Sequence, residues 1–297
     1  MINKQAKKCA EKLFLNNNKT AIIGKIGVYI MSVANRYNQE KKISIIIPTL
    51  NEVLNIKEVF PNIPDYIDEI VIVDGNSTDG TVEEIMKFRK DVKIRIQKPQ
   101  GKGAAMELGF KNSTGDLLIM MDADGSNDPK EIPSLLEPIL NGYDVSKGSR
   151  MLTGGGSADF TQFRRFGNSI FVALVNTMFG ANYTDLCYGY RAFKKEAIEK
   201  IHCKSKGFEI ETEQSILIKK AGLKIKEVPS FEKRRINGKS KLNSFKDGFK
   251  ILIIILKEYL KIFYKGKKSK DRDSMKTQMG TIPRFENKSI YRLNDIK

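Results

Sequence analysis

Cysteine and histidine, the side chains that build most zinc sites, are scarce in this sequence. Its 297 residues include three cysteines (Cys9, Cys187 and Cys203) and one histidine, His202. No C-x-x-C pair occurs, so a zinc site of the usual cysteine–histidine kind is not expected. A sparse and odd number of cysteines is typical of proteins in a reducing compartment.

Long hydrophobic runs are missing as well. No uninterrupted apolar run is longer than Ile251–Leu256, whereas a membrane-spanning helix needs about 18 to 20 apolar residues. The apolar stretch at 21–34 is interrupted by Lys25 and two glycines, and no convincing cleavage site follows it. We therefore predict neither a spanning helix nor a signal peptide, and we expect the chain to stay in the cytoplasm.

Positive charge is abundant, and it is concentrated at the two ends of the chain. The formal net charge is +17; residues 1–42 carry nine Lys and Arg against two acidic residues, and residues 265–297 carry ten against four. Basic ends suggest attraction to an anionic membrane or a nucleic acid, unless they are only solubilising, disordered tails. The aromatic residues do not alternate with basic ones as a base-stacking surface requires, so we expect no specific nucleic-acid partner.

Predicted strands and helices alternate from Ile43 onwards. This pattern is typical of an α/β fold with a Rossmann-like, mostly parallel sheet flanked by helices. The predicted strands are Ile43–Pro48, Glu69–Asp74, Val92–Gln97, Leu117–Met121, Val145–Gly148, Tyr190–Phe193 and Lys224–Pro229. The predicted helices are Asn51–Phe60, Asp79–Lys90, Gly103–Asn112, Pro129–Leu140, Phe163–Phe179, Glu209–Ala221 and Phe245–Tyr264, and the glycine-rich segment Thr153–Asp159 is predicted as a mobile loop.

The last predicted helix has apolar residues on more than one side. At 100° per residue, eight apolar side chains share an arc of roughly 120° and four lysines lie beside it. The eight are Phe245, Phe249, Leu252, Ile253, Leu256, Tyr259, Leu260 and Phe263, the lysines are Lys246, Lys250, Lys257 and Lys261, and three isoleucines (Ile251, Ile254 and Ile255) lie outside the arc. We predict that the helix lies in a membrane interface with its lysines on anionic headgroups. The alternative is a helix packed on the domain with its isoleucines in the core.

Three loops that follow predicted strands carry polar residues. Asp122 and Asp124 follow the fourth strand, the segment Asp74–Gly80 begins at the end of the second, and Pro48–Glu52 follows the first. Ligands bind at the carboxyl ends of the strands in an open parallel sheet, so these loops should meet at one edge. Two carboxylates there can bind Mg²⁺ or Mn²⁺, which neutralises charge on a departing diphosphate. Taken alone, a D-x-D pair is equally consistent with a solvated acidic turn.

These loops belong to a longer set of motifs, which resembles family 2 of the inverting glycosyltransferases, with the GT-A fold. The resemblance is carried by IIIPTLNE, IVIVDGNSTDGT, GKGAAMELGF and GDLLIMMDADGSNDP, and later by TDLCYGYRAFKKE, GFEIETE and EVPSFEKRRINGKSKLN. It covers about residues 43–245 and is nearest to the dolichol-phosphate-mannose-synthase-like branch and its bacterial and archaeal relatives. The chain departs from that branch at Gly125–Asp128, where Gln and His are usual, and it lacks the transmembrane helices that some members carry.

The resemblance implies a role for each matched position. Donor binding is expected of Pro48, Thr49 and Glu52 beside the base, Asp74 on the base or ribose, Lys102 near the phosphates, and Asp122 with Asp124 at the metal and sugar diphosphate. Acceptor or phosphate binding is expected of Ser149, Arg150, Arg191, Arg234, Arg235, Ser240 and Lys241. For Arg191, a structural ion pair is the alternative role.

A catalytic base is needed only if the acceptor is a hydroxyl, because a lipid phosphate is already ionised. Glu209 and Glu211 are the candidates beside Asp124, and we favour Glu211. Their spacing of two puts them on different sides of a helix, so at most one should face the acceptor.

The sequence therefore predicts metal-dependent transfer of a sugar from a UDP- or GDP-linked donor to a polyprenyl phosphate or a membrane glycan precursor. The enzyme is expected on the cytoplasmic face of the membrane, with residues 1–42 as a basic helical extension, 43–243 as the catalytic domain, 244–264 as the interface helix and 265–297 as a basic, disordered tail. A soluble or polysaccharide hydroxyl is the alternative acceptor. A sugar nucleotidyltransferase is disfavoured because the loop Thr49–Glu52 contains an acidic residue and no glycine.

Overall fold

The computed structural model describes residues 41–98, 100–238 and 240–279, with side chains described as far as Ile262. One unit ends at Ile255 and a second begins at Leu256. The predicted N-terminal extension lies outside the described residues except for Lys41 and Lys42, and so does the end of the predicted tail.

Seven strands of the described chain form the central sheet, in the order β3-β2-β1-β4-β7-β5-β8. Their bounds, with those of the short pair β6 and β9, are β1 Ile43–Thr49, β2 Glu69–Asp74, β3 Lys93–Ile96, β4 Leu117–Met120, β5 Val145–Ser149, β6 Gly156–Ser157, β7 Arg191–Lys194, β8 Ile225–Pro229 and β9 Phe231–Glu232. Only β7 runs antiparallel to its neighbours β4 and β5 in this sheet. The predicted mostly parallel α/β sheet is therefore confirmed.

Helices cover both faces of the sheet. They are α1 Val53–Val59, α2 Thr81–Phe88, α3 Lys102–Asn112, α4 Ile132–Leu140, α5 Gln162–Phe179, α6 Lys195–Lys200, α7 Ile210–Lys220 and α8 Ser244–Met279. Successive β1 residues point to opposite faces, so Ile45 and Ile47 join one core cluster while Ile46 joins another. Burial on both faces explains why the strand is a continuous apolar run rather than an alternating one.

The reversed strand β7 has a consequence for the site. Its first residue, Arg191, pairs with Met120 near the end of β4 and with Lys147 in β5. The loop that enters β7, with Tyr188 and Gly189, therefore reaches the edge where β1 and β4 end. An antiparallel insertion thus adds a loop to an edge otherwise formed by carboxyl ends of parallel strands.

Two segments differ from their predictions. The segment Thr153–Asp159, predicted as a mobile loop, contains β6, which pairs in parallel with β9 and is anchored by it. Helix α8 runs on to Met279, beyond the predicted end at Tyr264, so the predicted disordered tail is helical over its first part.

The start of α8 explains its apolar residues on two sides. Ile251 and Ile255 are buried in a third core cluster with Val175 of α5, whereas Phe245 and Phe249 are 78% and 64% exposed. The isoleucines thus pack in the core, as the alternative interpretation held, while the predicted apolar arc stays uncovered in this unit. Within the described residues, no helix has the length and hydropathy needed to cross a bilayer.

Candidate functional site

A cavity of about 800 Å³ opens at the carboxyl edge of the sheet. Its wall joins the loops after β1, β2 and β4, the start of α3, the loop before β7 and the segment after β9. Eleven of the predicted site residues line it: Pro48, Thr49, Glu52, Lys102, Asp122, Asp124, Arg150, Glu211, Arg235, Ser240 and Lys241. Residues far apart in the sequence therefore share one concave site, as expected for an open parallel sheet.

Lys102 links two of the carboxylates. Its Nζ lies 2.7 Å from Asp122 Oδ1 and 2.7 Å from Glu211 Oε1, and little of the lysine side chain is exposed. Burial opposes a charged lysine, but these two carboxylates outweigh it and raise the pKa of Lys102. Burial, helped by repulsion from Asp124 and Glu211, raises the pKa of Asp122 to about 6 despite the lysine. The ionised form of Asp122 is therefore disfavoured by burial although Lys102 pairs with it, and a bound cation would stabilise that form.

The glycines around Lys102 hold it in this position. An added Cβ at Gly103 would lie 2.2 Å from the main-chain oxygen of Ser205, so the first turn of α3 packs directly on that backbone. Glu213 fixes the backbone in turn, since it accepts hydrogen bonds from the N–H groups of Lys204 and Ser205 at 2.9 and 2.7 Å. The GKGAA motif thus positions a lysine through close backbone contact.

Gly189 lies against the same ion pair. A Cβ added there would be 2.6 Å from Glu211 Oε1 and 2.7 Å from Lys102 Nζ. Since both atoms are the ends of flexible side chains, we expect Gly189→Ala to fold normally but to displace the pair. Transfer activity should fall at least about tenfold, because small misplacements of reacting groups are costly.

A melting curve and a steady-state assay check this prediction together. Gly103→Ala is the contrasting variant, because its Cβ meets a main-chain oxygen and the melting temperature itself should drop. Equal losses of stability in the two variants would contradict the role given to Gly189.

Arg235 links the other two carboxylates. Its Nη1 lies 3.1 Å from each carboxylate oxygen of Glu52, and its Nη2 lies 3.0 Å from Asp124 Oδ2. Lys241 adds a contact of 3.5 Å to Glu52. In this structure each aspartate of the D-x-D pair therefore has one cationic partner.

Asp74 organises its loop rather than the cavity wall. The carboxylate accepts hydrogen bonds from Thr49 Oγ1 at 2.8 Å and from Ser77 N and Oγ at 2.7 and 2.6 Å. It is almost fully buried, and Gly75 is its neighbour that lines the cavity. Its predicted contact with a base or ribose stays a prediction.

Two predicted acceptor residues are buried and do not line the cavity, and their predicted roles stay predictions. Ser149 is fully buried, 2.6 Å from Thr184 Oγ1. Arg191 is also fully buried and donates to main-chain oxygens, among them Glu211 O at 2.8 Å and Tyr188 O at 3.3 Å. Neither lines the cavity. Through these hydrogen bonds Arg191 ties the start of α7, and with it Glu211, to the loop before β7.

Arg150 has a mixed position. Its Nε and Nη2 donate to both oxygens of Asp185 at 2.7 and 2.9 Å, and its guanidinium lies 3.9 Å from the centroid of the Phe160 ring. Burial opposes the charge, but Asp185 raises the pKa of Arg150. The side chain reaches the cavity wall while most of its donors are already engaged.

Two further predicted residues lie outside the cavity. Glu209 is not in its wall, and one of its oxygens accepts a hydrogen bond from the N–H of Gly207 at 3.1 Å. Of the two glutamates, Glu211 is the one that lines the cavity, and the predicted catalytic role of Glu209 stays a prediction. Arg234 is exposed and does not line the cavity either, in contrast to its neighbour Arg235. The predicted role of Arg234 in phosphate binding stays a prediction.

The far end of the cavity is apolar and was not predicted from the sequence. Helix α5 and the start of α8 line it with Phe163, Phe171, Phe245, Phe249 and Leu252. Arg164 lies in the same wall, 3.6 Å from Asp159 and 3.5 Å from Ser244 Oγ. In the sequence, Arg164 is marked only by its neighbour Arg165 at the start of a predicted helix. Two adjacent arginines at such a position are common on solvent-exposed surfaces, so they did not indicate a site.

Comparison with known proteins yields a family match and several relatives. The model described as Glycosyl transferase family 2 matches residues 44–202. A protein named dolichol-phosphate mannosyltransferase from Pyrococcus furiosus is 35% identical over 68% of this chain and 59% of its own length. An uncharacterized protein of Methanocaldococcus jannaschii is 34% identical over 78% of this chain and 97% of its own length. Glycosyltransferase AglJ of Haloferax volcanii is 32% identical over 69% of this chain and 68% of its own length. The chain thus spans less than two thirds of the first of these relatives.

Solved structures with the same fold are more distant in sequence. Glucosyl-3-phosphoglycerate synthase of Mycobacterium tuberculosis, in complex with Mn²⁺, UDP and glucosyl-3-phosphoglycerate, superposes with a TM-score of 0.62 at 20% identity. The match covers 77% of this chain and 83% of that one. The same enzyme in complex with Mg²⁺ and UDP gives a TM-score of 0.63. At this identity, the likeness supports the GT-A-like fold and nothing finer.

Proposed function

Since this chain belongs to glycosyl transferase family 2, in its dolichol-phosphate-mannose-synthase-like branch, we propose that it moves a sugar from a nucleotide-diphosphate donor to a phosphate-bearing lipid, with a divalent cation. One observation carries the proposal: Asp122 and Asp124 share a cavity with Glu52, Lys102 and Arg235. One nucleotide-diphosphate donor could therefore contact both groups of side chains: the carboxylates that would bind the divalent cation, and the lysine and arginine that would bind the phosphates.

The two aspartates fit Mg²⁺ or Mn²⁺. Both offer hard oxygen ligands, and burial, with the nearby charges of Asp124 and Glu211, raises the pKa of Asp122. A bound cation would stabilise the ionised carboxylates. The described residues contain no cluster of three metal-ligating side chains, so the remaining ligands would be diphosphate oxygens and water, as is usual for Mg²⁺. When bound, the cation stabilises the negative charge of the departing diphosphate.

The chain's own cations would bind the phosphates. Arg235 offers a planar fork, and Lys102 and Lys241 offer point charges on either side of the carboxylates. Pro48, Thr49 and Leu50 in the cavity wall would enclose the nucleoside. These residues bind and orient the donor, and burial at the sheet edge limits water near the reacting bond.

The apolar end of the cavity favours a lipid acceptor. Arg164 is the half-buried cation between the polar end and the phenylalanines of α5 and α8, where it could bind an acceptor phosphate. An ionised phosphate needs no base, and Glu211 would then position Lys102 rather than remove a proton. A hydroxyl acceptor remains the second candidate because Glu211 faces the cavity and could act as a base.

The acceptor assay that tests this proposal uses the full chain with UDP- and GDP-sugars and Mn²⁺. The three acceptor arms are a polyprenyl phosphate, the corresponding polyprenol and a soluble oligosaccharide. Sugar recovered in the lipid extract only with the phosphate supports the proposal. Transfer to the polyprenol or to the oligosaccharide supports the hydroxyl acceptor, and no transfer from any donor with the cation present contradicts the metal-dependent reaction.

An exposed apolar face beside the cavity supports binding to a membrane surface. Phe163, Phe166 and Ile170 lie on one side of α5 and are 52%, 66% and 43% exposed. Phe245 of α8 continues this face, with its ring centroid 5.0 Å from that of Phe163. Exposed Arg165 and Lys246 flank it. Aromatic residues bordered by basic ones are typical of a helix that rests in an anionic lipid interface. The predicted cytoplasmic location stays a prediction.

We expect the double substitution Phe166→Ser with Ile253→Ser to weaken vesicle binding by about tenfold or more, because each side chain would lose about 1 kcal/mol or more of apolar burial. Cosedimentation with vesicles that contain an anionic phospholipid measures it, with neutral vesicles for comparison. Neither residue lines the cavity.

Leu54→Ser with Ile96→Ser is the matched control, because these side chains are 55% and 62% exposed on other elements. If both double variants bind vesicles as the unmodified chain does, the face on α5 and α8 is not the membrane contact.

A further inference from the structure

Both aspartates of the metal pair already hold a protein cation. Lys102 Nζ lies 2.7 Å from Asp122 Oδ1, and Arg235 Nη2 lies 3.0 Å from Asp124 Oδ2. The other oxygen of Asp124 accepts a hydrogen bond from Ser126 N at 3.0 Å. A divalent cation that approached Asp124 alone would therefore meet a guanidinium on the same carboxylate.

We propose that Arg235 is a resident counter-ion that competes with the divalent cation for Asp124, so that the metal binds tightly only together with a diphosphate. The inference rests on the proposed function, and it concerns the order and coupling of binding rather than the identity of the sugar or acceptor. Arg235 is thus a positioning residue. Its guanidinium pairs with Asp124 in the ligand-free protein and with the diphosphate when the nucleotide is bound.

Arg235 is better suited to this exchange than Lys102. The lysine side chain is 9% exposed and bridges Asp122, in the loop after β4, to the buried Glu211 on α7. The arginine lies on the segment after β9, is 18% exposed, and bridges the loop after β4 to Glu52. Removal of Arg235 from Asp124 leaves it paired with Glu52, so the exchange does not strand a buried charge.

The segment that carries Arg235 is fastened to both of the loops it bridges. Lys233 N donates to Ser126 O at 2.8 Å, and Ile236 N donates to Asp124 O at 3.1 Å. Asn237 N donates to Asn55 Oδ1 at 2.8 Å on α1. These bonds hold the guanidinium beside the carboxylates without help from a ligand, as a built-in competitor requires.

A diphosphate reverses the competition. Its oxygens match the planar fork of a guanidinium and can bind it in bidentate fashion. When the arginine turns to the phosphates, Asp124 becomes free for the metal, and the metal in turn shares the phosphate charge. Metal and nucleotide should therefore bind with positive coupling, and each should raise the affinity for the other by the same factor.

The test is a titration of the full chain with Mn²⁺, with and without UDP or GDP, followed by calorimetry or by the electron paramagnetic resonance signal of free Mn²⁺. In Arg235→Gln we expect Mn²⁺ alone to bind at least about fivefold more tightly than in the unmodified protein. That factor is the repulsion between two unit charges about 4 Å apart in water, and it is a lower bound because Mn²⁺ is divalent. The coupling between Mn²⁺ and nucleotide should shrink. Arg235→Lys, which keeps the charge, should restore weak binding of Mn²⁺ alone.

Arg234→Gln is the matched control. It removes the same charge from the neighbouring residue, whose side chain does not line the cavity. It should leave the affinity for Mn²⁺ alone nearly unchanged. A lower or equal Mn²⁺ affinity in Arg235→Gln, or the same gain in Arg234→Gln, would overturn the competition. If instead no variant binds Mn²⁺ even with UDP or GDP, the metal-dependent function itself fails.

Discussion

Asp124→Asn should abolish sugar transfer, with a loss in kcat of at least about a thousandfold, because metal stabilisation of a leaving diphosphate contributes several kcal/mol. The fold should survive. The side chain is 18% exposed, and the asparagine oxygen can still accept the hydrogen bond from Ser126 N. Loss of the ion pair with Arg235 should cost about 1.5 to 3 kcal/mol, as for one hydrogen bond to a charged group, because Arg235 keeps Glu52 as its partner.

Steady-state assays with saturating Mn²⁺ and a thermal melt of the same preparation measure the two effects. Asp128→Asn is the matched control: it changes the same residue type four positions on, outside the cavity, at a carboxylate that caps Pro129–Glu131. Asparagine is also a good helix cap, so that variant should keep both activity and stability. Full activity in Asp124→Asn would remove the metal site from the proposal.

The strands and the polar loops at their ends were predictable from the sequence, because each depends on local pattern. The run Ile43–Thr49 and the run Glu69–Asp74 are apolar, β-branched and followed by turn residues, and the structure has both as parallel strands with six paired positions. Once parallel strands are known, their carboxyl ends must share an edge. The meeting of Glu52, Asp122 and Asp124 follows from that rule.

The roles of the arginines were not predictable, because the sequence does not show whether an arginine side chain pairs with a ligand or with another part of the protein. Arg150 finds Asp185 and Arg191 finds main-chain oxygens near β7. Those partners became available only when β7 inserted antiparallel between β4 and β5, a long-range event. Arg164 was missed for the converse reason, since its site depends on the packing of α5 beside α8.

The two glutamates of GFEIETE also show what the sequence alone could not decide. Spacing alone established that Glu209 and Glu211 could not both face one side of a helix. The choice between them depended on Lys102, which lies more than a hundred positions away in the chain and donates a hydrogen bond to Glu211. Periodicity can therefore divide residues into faces, but tertiary contacts decide which face meets the ligand.

Lys102→Met should cause the largest loss of stability among the substitutions considered, about 3 to 5 kcal/mol in the ligand-free protein, because it leaves two largely buried carboxylates without their cation. Methionine has nearly the shape of the lysine stem, so the loss should come from charge rather than from packing. Lys111→Met is the matched control on the same helix. Its ion pair with Glu107 is exposed, with side-chain exposures of 68% and 55%, and its loss should matter little.

The pH dependence of unfolding separates this cause from a packing defect. In the folded protein the pKa of Asp122 is already raised to about 6 from an ordinary value of 3.8, and loss of the ammonium group should raise it further. A carboxyl group whose pKa is raised by folding binds its proton more tightly in the folded state. Its stabilising protonation is complete below about pH 4 and is lost as the pH rises through the folded pKa. Denaturant titrations from pH 8 to pH 5 should therefore show Lys102→Met recovering stability more steeply than the unmodified chain, and a parallel pair of profiles would mean that the lysine acts only by packing.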